Sequence, residues 1–199
     1  LHRSIMSAFP GDLDDLEERV LFRLEQDTPS GDLTLLVQSW TRPDWTCLGE
    51  SGARSYLLPV SLPNPALKEF ELDLAPGQTL AFRLRANPTA RRRCSDGSRR
   101  RVGLYDEGEQ MDWLERKAER GGFALVSARS SGQTTVGGCV YRNGRKHDLT
   151  LLSVQFDGLL QVRNPDQLQE SVQQGIGSAK AFGFGLLSLA PPRRMSPNV

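Results

Sequence analysis

The chain contains two histidines, His2 and His147, and imidazole is the side chain best suited to proton transfer near neutral pH. His2 is followed by Arg3 at the start of a predicted helix, whereas His147 lies in a basic turn. A histidine that stands alone is more often a surface residue than a catalytic one. The residues therefore offer His2 as a candidate acid or base and leave the surface alternative open.

A run of arginines is the strongest charge feature, although the formal net charge of the chain is only +1. Between Arg83 and Arg101 there are eight arginines and one acidic residue, Asp96. Guanidinium groups match phosphate oxygens in shape and charge. A solvated loop is the alternative, but the run continues a predicted strand, 79–88, whose outward face is already basic. We expect nucleic-acid binding by Arg83, Arg85, Arg91, Arg92, Arg93, Arg99, Arg100 and Arg101.

The stretch "YRNGRKHD" surrounds Asn143-Gly144, a dipeptide typical of two-residue β-hairpin turns. Arg142, Arg145 and Lys146 flank this dipeptide. A basic hairpin tip can contact a nucleic-acid strand. In the alternative, the charges at this turn serve only the solubility of the protein.

A second candidate phosphate site is the segment "GIGSAKAFGFGLLSLAP", which contains two GxG pairs with Lys180 between them. Glycine permits positive φ and close backbone approach, and backbone N–H groups beside a lysine can hold phosphates. A structural turn is the alternative. The segment matches neither a Walker loop nor a dinucleotide fingerprint. Its four glycines are Gly175, Gly177, Gly183 and Gly185.

The sequence shows no cluster of Asp, Glu and His with metal-ligand spacing, and its three cysteines are widely spaced. We therefore expect no zinc site, no disulfide framework and no cofactor, and we expect that a nuclease built on these residues acts without a metal ion. Such cysteine usage fits the reducing cytoplasm. No apolar run approaches the ~20 residues that span a bilayer, and no signal peptide is visible, so no membrane association is expected.

Hydrophobic residues make up 38% of the 199 residues, which is enough for one domain or two small ones. Each half of the predicted element order contains most of a β-α-β-β-α-β unit. The prediction is an α+β fold of two tandem ferredoxin-like (RRM-like) domains, residues 1–88 and 89–199, the second with the basic loop and the glycine segment. The first strand of the N-terminal domain would precede Leu1.

Five segments of this chain carry a resemblance to a known family. They are "LHRSIMSAFP", "RLRANPT", "DWLERKAERGGF", "VQFDGLLQV" and "GIGSAKAFGFGLLSLAP", in this order. From Leu1 to about Pro191, the chain resembles the CRISPR-associated CasE family, the precursor-RNA endoribonucleases of type I-E systems. The resemblance implies tandem ferredoxin-like domains.

The resemblance also implies an activity. Family members cleave the CRISPR repeat RNA at the 3′ base of its hairpin without a metal. The ribose 2′-OH attacks the phosphorus, which leaves a 2′,3′-cyclic phosphate and a 5′-OH. The enzyme then stays on the product RNA as a subunit of Cascade, so the expected partners are the repeat RNA hairpin and other Cascade subunits.

The resemblance assigns expected functions to residues of this chain. His2 would be the catalytic acid or base, and Arg3 would lie beside the scissile phosphate. The "YRNGRKH" hairpin would lie near the cleavage site, which makes Arg142, Arg145 and Lys146 phosphate ligands. The arginines from Arg83 to Arg101 would line the face that holds the RNA stem. The glycine segment would form an RNA-facing turn against the RNA or His2, with Lys180 as a backbone contact.

Two rival hypotheses give His2 no function. One is a non-catalytic RNA-binding subunit of a ribonucleoprotein, which keeps the arginines. The other is a purely structural subunit, which predicts weak affinity for free hairpin RNA.

Overall fold

A computed structural model of the chain describes residues 1–11, 18–26, 31–48, 66–93 and 97–192, without the side chains of Cys47, Leu48 and Arg142. Two single-turn 3₁₀ helices, Trp45–Leu48 and Lys180–Phe182, accompany the regular elements. The helices are α1 (His2–Met6), α2 (Glu107–Arg120) and α3 (Pro165–Gln174). The strands are β1 (Leu21–Gln26), β2 (Leu33–Gln38), β3 (Thr79–Ala86), β4 (Thr89–Arg93), β5 (Arg99–Gly103), β6 (Phe123–Arg142), β7 (Arg145–Val162) and β8 (Leu187–Ala190).

The largest sheet has four antiparallel strands in the order β6-β7-β3-β8. Leu80, Phe82 and Leu84 of β3 are buried, as their alternation predicts. From β3 to β8 the chain follows the β-α-β-β-α-β order of the ferredoxin-like motif, with β4 and β5 inserted before α2. Because β3 is a central strand of this sheet, the predicted boundary at residue 88 separates it from the strands with which it pairs.

Two capped helices cover this sheet and close its core. The carboxylate of Asp106 accepts a hydrogen bond of 3.0 Å from the Glu109 N–H and caps α2, while Asn164 caps α3 before Pro165. Leu114 and Leu168 are fully buried in the core between the helices and the sheet. Each such side chain stabilises the fold by about 1.5–3 kcal/mol. Within the described ranges, none of the helices contains an apolar stretch of the length that spans a bilayer.

The N-terminal residues form a smaller unit of α1 and the antiparallel pair β1–β2. Ile5, Phe9 and Phe22 form its core. Arg23 is buried on the opposite face of β1 and donates to the carbonyl of Leu186 at 3.1 Å. It also donates to the Ser188 hydroxyl, at 2.9 Å, and to the Glu25 carboxylate, at 2.6 Å. These bonds join β1 to β8 and satisfy a buried cation, which would be costly to leave without partners.

β6 and β7 form a hairpin that extends beyond the four-stranded sheet. β3 pairs with β7 only as far as Val154, so residues 145–153 pair with β6 alone. Asn143 and Gly144 form the turn with φ values of 50° and 73°, the two positive values that a type I′ turn requires. The two-residue turn predicted from the sequence is thus confirmed.

Candidate functional site

His2 is the first residue of α1, and its imidazole stacks on the ring of Phe22. The ring centroids are 6.1 Å apart and the ring planes differ by 17°. Phe22 is buried, so it presents a fixed surface to the more exposed imidazole. Partial burial, with a smaller contribution from the charge of the Leu1 amino group, lowers the pKa of His2. A lowered pKa favours the neutral imidazole, the form that accepts a proton.

The four glycines of the GxG pairs all have positive φ, between 73° and 93°. At three of them an added Cβ would press on a side chain of the protein itself. It would lie 2.9 Å from Leu21 at Gly175, 3.0 Å from Phe22 at Gly183, and 3.1 Å from Trp113 at Gly177. The glycines are therefore required for packing within the protein.

This packing bears on one part of the expected RNA-facing turn, namely that exposed backbone N–H groups of the segment hold phosphates. The Gly185 N–H donates to the Arg85 carbonyl, and the Ile176 N–H donates to the Gly185 carbonyl, each at 2.8 Å. The Gly183 N–H donates to the Lys180 carbonyl at 3.1 Å. These three N–H groups already have acceptors. The segment contacts the neighbourhood of His2 through Phe22.

Arg83 and Arg85 both lie on the seam between β1 and the large sheet. Arg83 is 45% exposed and donates to Asp157 at 2.7 Å, a bond that raises the pKa of Arg83. Arg85 is half-buried, whereas the sequence predicted that its face of the strand is exposed. It donates to the Ser153 hydroxyl at 2.8 Å and to the Leu24 carbonyl at 3.2 Å. Burial and the charge of nearby Arg23 lower the pKa of Arg85.

The remaining arginines of the run lie on the antiparallel pair of strands β4 and β5, which we call the arginine hairpin (residues 89–93 and 97–103). Its register places three arginines directly opposite three others: Arg91 opposite Arg101, Arg92 opposite Arg100, and Arg93 opposite Arg99. Like charges in such positions oppose strand pairing. The base of the hairpin compensates, because the Leu104 N–H donates to the Pro88 carbonyl at 3.0 Å and Ala90 packs on the core.

The two faces of the arginine hairpin differ. Side chains alternate along a strand, so Arg92 and Arg100 share one face. Arg92 forms an ion pair with Glu109 of α2. The opposite face consists of Arg91, Arg93, Arg99 and Arg101, all exposed. Within the described residues, none of these four forms an ion pair with a carboxylate.

Arg3 on α1 and the tip of the β6–β7 hairpin present further exposed cations. Arg3, Arg145 and Lys146 are exposed, and Lys146 lies 2.9 Å from Asp148. Further down the hairpin, Gly138 lies so close to the Phe182 ring that an added Cβ would collide with it. The long hairpin therefore contacts the glycine segment, which in turn contacts Phe22.

Lys180 is half-buried, and sequence reasoning missed its cationic neighbours. Burial lowers the pKa of Lys180, and the charges of Arg19 and Lys117 lower it further. Sequence reasoning also missed Phe22 and Arg23, since no local pattern marks the partner of a stacked ring or of a buried cation.

No three His, Cys, Asp or Glu side chains in the described ranges lie close enough together to hold a metal ion.

The sequence matches known proteins over almost its whole length. Residues 1–191 match a family model described as CRISPR associated protein. The chain is 37% identical to the CRISPR-associated endoribonuclease Cse3 of Thermus thermophilus, with 96% of this chain and 89% of that protein covered. It is 32% identical to the CRISPR system Cascade subunit CasE of Escherichia coli, with 96% and 90% covered.

The fold also matches that of solved structures. A solved structure of CRISPR endoribonuclease Cse3 bound to 19 nt RNA matches with a TM-score of 0.77 and 33% identity, over 96% of this chain and 88% of that one. Since both the sequence and the fold match over this length, the chain belongs to the CRISPR-associated CasE family, which includes Cse3 and CasE.

Proposed function

We propose that this protein is a CRISPR RNA-processing endoribonuclease of the cytoplasm. It cleaves the precursor RNA at the 3′ base of the repeat hairpin and stays on the product as a subunit of Cascade. The relatives named endoribonuclease Cse3 and Cascade subunit CasE support this proposal, as does the fold shared with an RNA-bound Cse3. The observation that carries it is the partly exposed imidazole of His2, held on Phe22 next to Arg3.

In the proposed reaction, the ribose 2′-oxygen forms a bond to phosphorus and the bond from phosphorus to the 5′-oxygen breaks. The neutral imidazole of His2 accepts the 2′-hydroxyl proton, and the 5′-oxygen leaves with a proton from water. The resulting hydroxide then takes the proton from the imidazolium, which returns His2 to its neutral form. The products are a 2′,3′-cyclic phosphate and a 5′-OH. The guanidinium of Arg3 stabilises the negative charge that develops on the phosphate oxygens. These groups supply proton transfer and charge stabilisation without a metal or cofactor.

We propose two basic surfaces for the RNA stem. One is the face of the arginine hairpin with its four exposed arginines, and the other is the tip of the β6–β7 hairpin with Arg142, Arg145 and Lys146. A-form RNA is recognised largely through its shape and backbone, which suits guanidinium groups on rigid strands. Arg83 and Arg85 donate hydrogen bonds to protein groups, so we propose that their main function is to hold β1 on the large sheet. Of these two arginines, only the exposed part of Arg83 is then available to RNA.

We also propose that the fold is a tandem of two ferredoxin-like domains. In the N-terminal unit, α1, β1 and β2 follow the helix-strand-strand order found within such a motif. The position of β3 in the large sheet moves the proposed boundary to the stretch before Thr79.

The test compares the parent protein with His2→Ala on a labelled CRISPR-repeat hairpin in EDTA, followed by analysis of the product ends. His147→Ala is the comparison at the other histidine, which is exposed beside the tip of the β6–β7 hairpin, so it separates the loss of an RNA contact at the tip from the loss of the proton-transfer group. We expect the parent and the control to cut at the 3′ base of the stem with a cyclic phosphate, while His2→Ala binds without cutting. A parent that binds and never cuts supports the non-catalytic subunit instead.

A further inference from the structure

Two half-buried lysines, Lys117 of α2 and Lys180 of the glycine segment, belong to elements that meet at the ring of Trp113, a buried residue of α2. The Nζ atom of Lys117 lies 5.8 Å from the centroid of the Trp113 ring. Gly177 packs on the same ring, since its added Cβ would be 3.1 Å from the Cζ2 atom. Lys180 follows Gly177 by three residues, and its Cγ atom lies against Gly185. The ring of Trp113 thus connects the helix that carries Lys117 to the segment that carries Lys180.

The two ammonium groups share an electropositive environment. Burial lowers the pKa of Lys117, and the charges of Arg120, Arg101 and Arg116 lower it further. Lys117 itself contributes to the lowered pKa of Lys180. Neither lysine forms an ion pair in the part of the chain that the structure describes. Partly desolvated like charges are unfavourable without a counter-charge, so this arrangement is suited to an anion.

The position of the pair indicates which anion. On one side, the ion pair between Arg92 and Glu109 joins the arginine hairpin to α2, the helix that carries Lys117, and the charge of Arg101 lowers the pKa of Lys117. On the other side, the 3₁₀ turn that begins at Lys180 ends next to Gly183, which contacts the Phe22 ring beneath His2. Lys117 therefore belongs to the helix that contacts the arginine hairpin, and Lys180 belongs to the segment that contacts the support of His2.

We propose that Lys117 and Lys180 form a phosphate site that holds the RNA backbone between the arginine hairpin and His2. This inference rests on the proposed function and adds Lys117 to the RNA-binding residues. The ligand is a phosphodiester of the bound strand, which supplies the counter-charge for the two ammonium groups. In the alternative, Lys117 only covers the Trp113 ring, a contact that needs no anion.

The experiment measures RNA affinity against salt in a His2→Ala background, so that cleavage does not interfere. The added variants are Lys117→Gln and Lys180→Gln, with Lys68→Gln as the control at an exposed lysine. Each phosphate contact contributes about 0.7–0.9 to the slope of log affinity against log salt. We expect each of the two variants to reduce the slope by roughly this amount, with a loss of several-fold in affinity at low salt, and the control to retain the parent slope. Unchanged slopes in both variants overturn the proposal.

A second measurement needs neither variant nor RNA cleavage. Inorganic pyrophosphate is titrated into the parent protein while the lysine Nζ resonances are followed by NMR. We expect the signals of Lys117 and Lys180 to shift together and saturate while that of Lys68 does not. If the lysine signals do not respond and the slopes are unchanged while the parent still cuts RNA, the phosphate site is wrong and the nuclease stands. If the lysines respond but the parent never cuts, the site stands and the catalytic proposal fails.

Discussion

The imidazole of His2 stacks on Phe22, and Phe22 in turn lies against Gly183, where an added Cβ would be 3.0 Å from the Cε2 atom of the ring. Phe22 therefore connects the proposed catalytic side chain to the glycine segment, which lies near the other end of the chain. We therefore expect that a change in the packing of the glycine segment moves the Phe22 ring and, with it, the imidazole of His2.

Replacement of Phe22 by Leu tests whether this ring positions His2. The smaller side chain removes part of the stacked surface, so the pKa of His2 should rise toward its ordinary value and cleavage should slow. The lost packing should cost about 1–2 kcal/mol of folding free energy. An NMR titration of the imidazole C–H signals measures the pKa directly, with His147 as the internal control. An unchanged His2 pKa would show that Phe22 contributes packing alone.

The pH dependence of cleavage follows from the lowered pKa of His2. If neutral His2 accepts the 2′-hydroxyl proton, the single-turnover rate should rise with pH below the pKa and become level above it. Because burial lowers this pKa, the level region should begin below the ordinary histidine value of about 6.5. A rate that instead falls as pH increases through this range would assign His2 as the acid.

Gly183→Ala should destabilise the protein, because it places a side chain at a φ of 85° and presses it against Phe22. The expected loss is about 1–3 kcal/mol in the free energy of unfolding, with slower cleavage through the displaced ring. Gly137→Ala is the matched control, since the structure has open space at that position and no positive φ. Urea denaturation compares the two variants. Equal midpoints would contradict the packing constraint at Gly183.

The two faces of the arginine hairpin should respond differently to neutralisation. Substituting both Arg93 and Arg99 by Gln should weaken binding of the hairpin RNA and reduce its salt dependence, because these side chains lie on the proposed RNA face. It should leave thermal stability unchanged or raise it, since two opposed like charges are removed. Arg92→Gln should have the smaller effect on RNA, because Arg92 pairs with Glu109. A filter-binding titration and a thermal melt measure the two properties.

If Arg92→Gln impairs RNA binding as strongly as the double variant, the assignment of the faces is wrong. If the double variant binds RNA as the parent does, the arginine hairpin lies outside the RNA interface.

Local patterns in the sequence were sufficient for several elements. The alternation of Leu80, Phe82 and Leu84 predicts β3, and the spacing of Leu114 and Ala118 predicts the buried face of α2. The turn at Asn143-Gly144 follows from the backbone freedom of these two residue types. Each of these features depends on residues within a few positions of one another, so the chain itself carries the information.

Other features were decided only by tertiary structure. The sequence shows that the run from Arg91 to Arg101 is basic, but the register that opposes its arginines in pairs comes from the folded hairpin. The glycine segment shows where close approach occurs, and only the fold reveals that the neighbours include Leu21 and Phe22, more than 150 residues earlier. Long-range packing leaves no periodic signal in the chain, because each partner is chosen by the shape of the assembled core. For that reason the sequence determines the candidate chemistry of His2, while the structure determines what holds it.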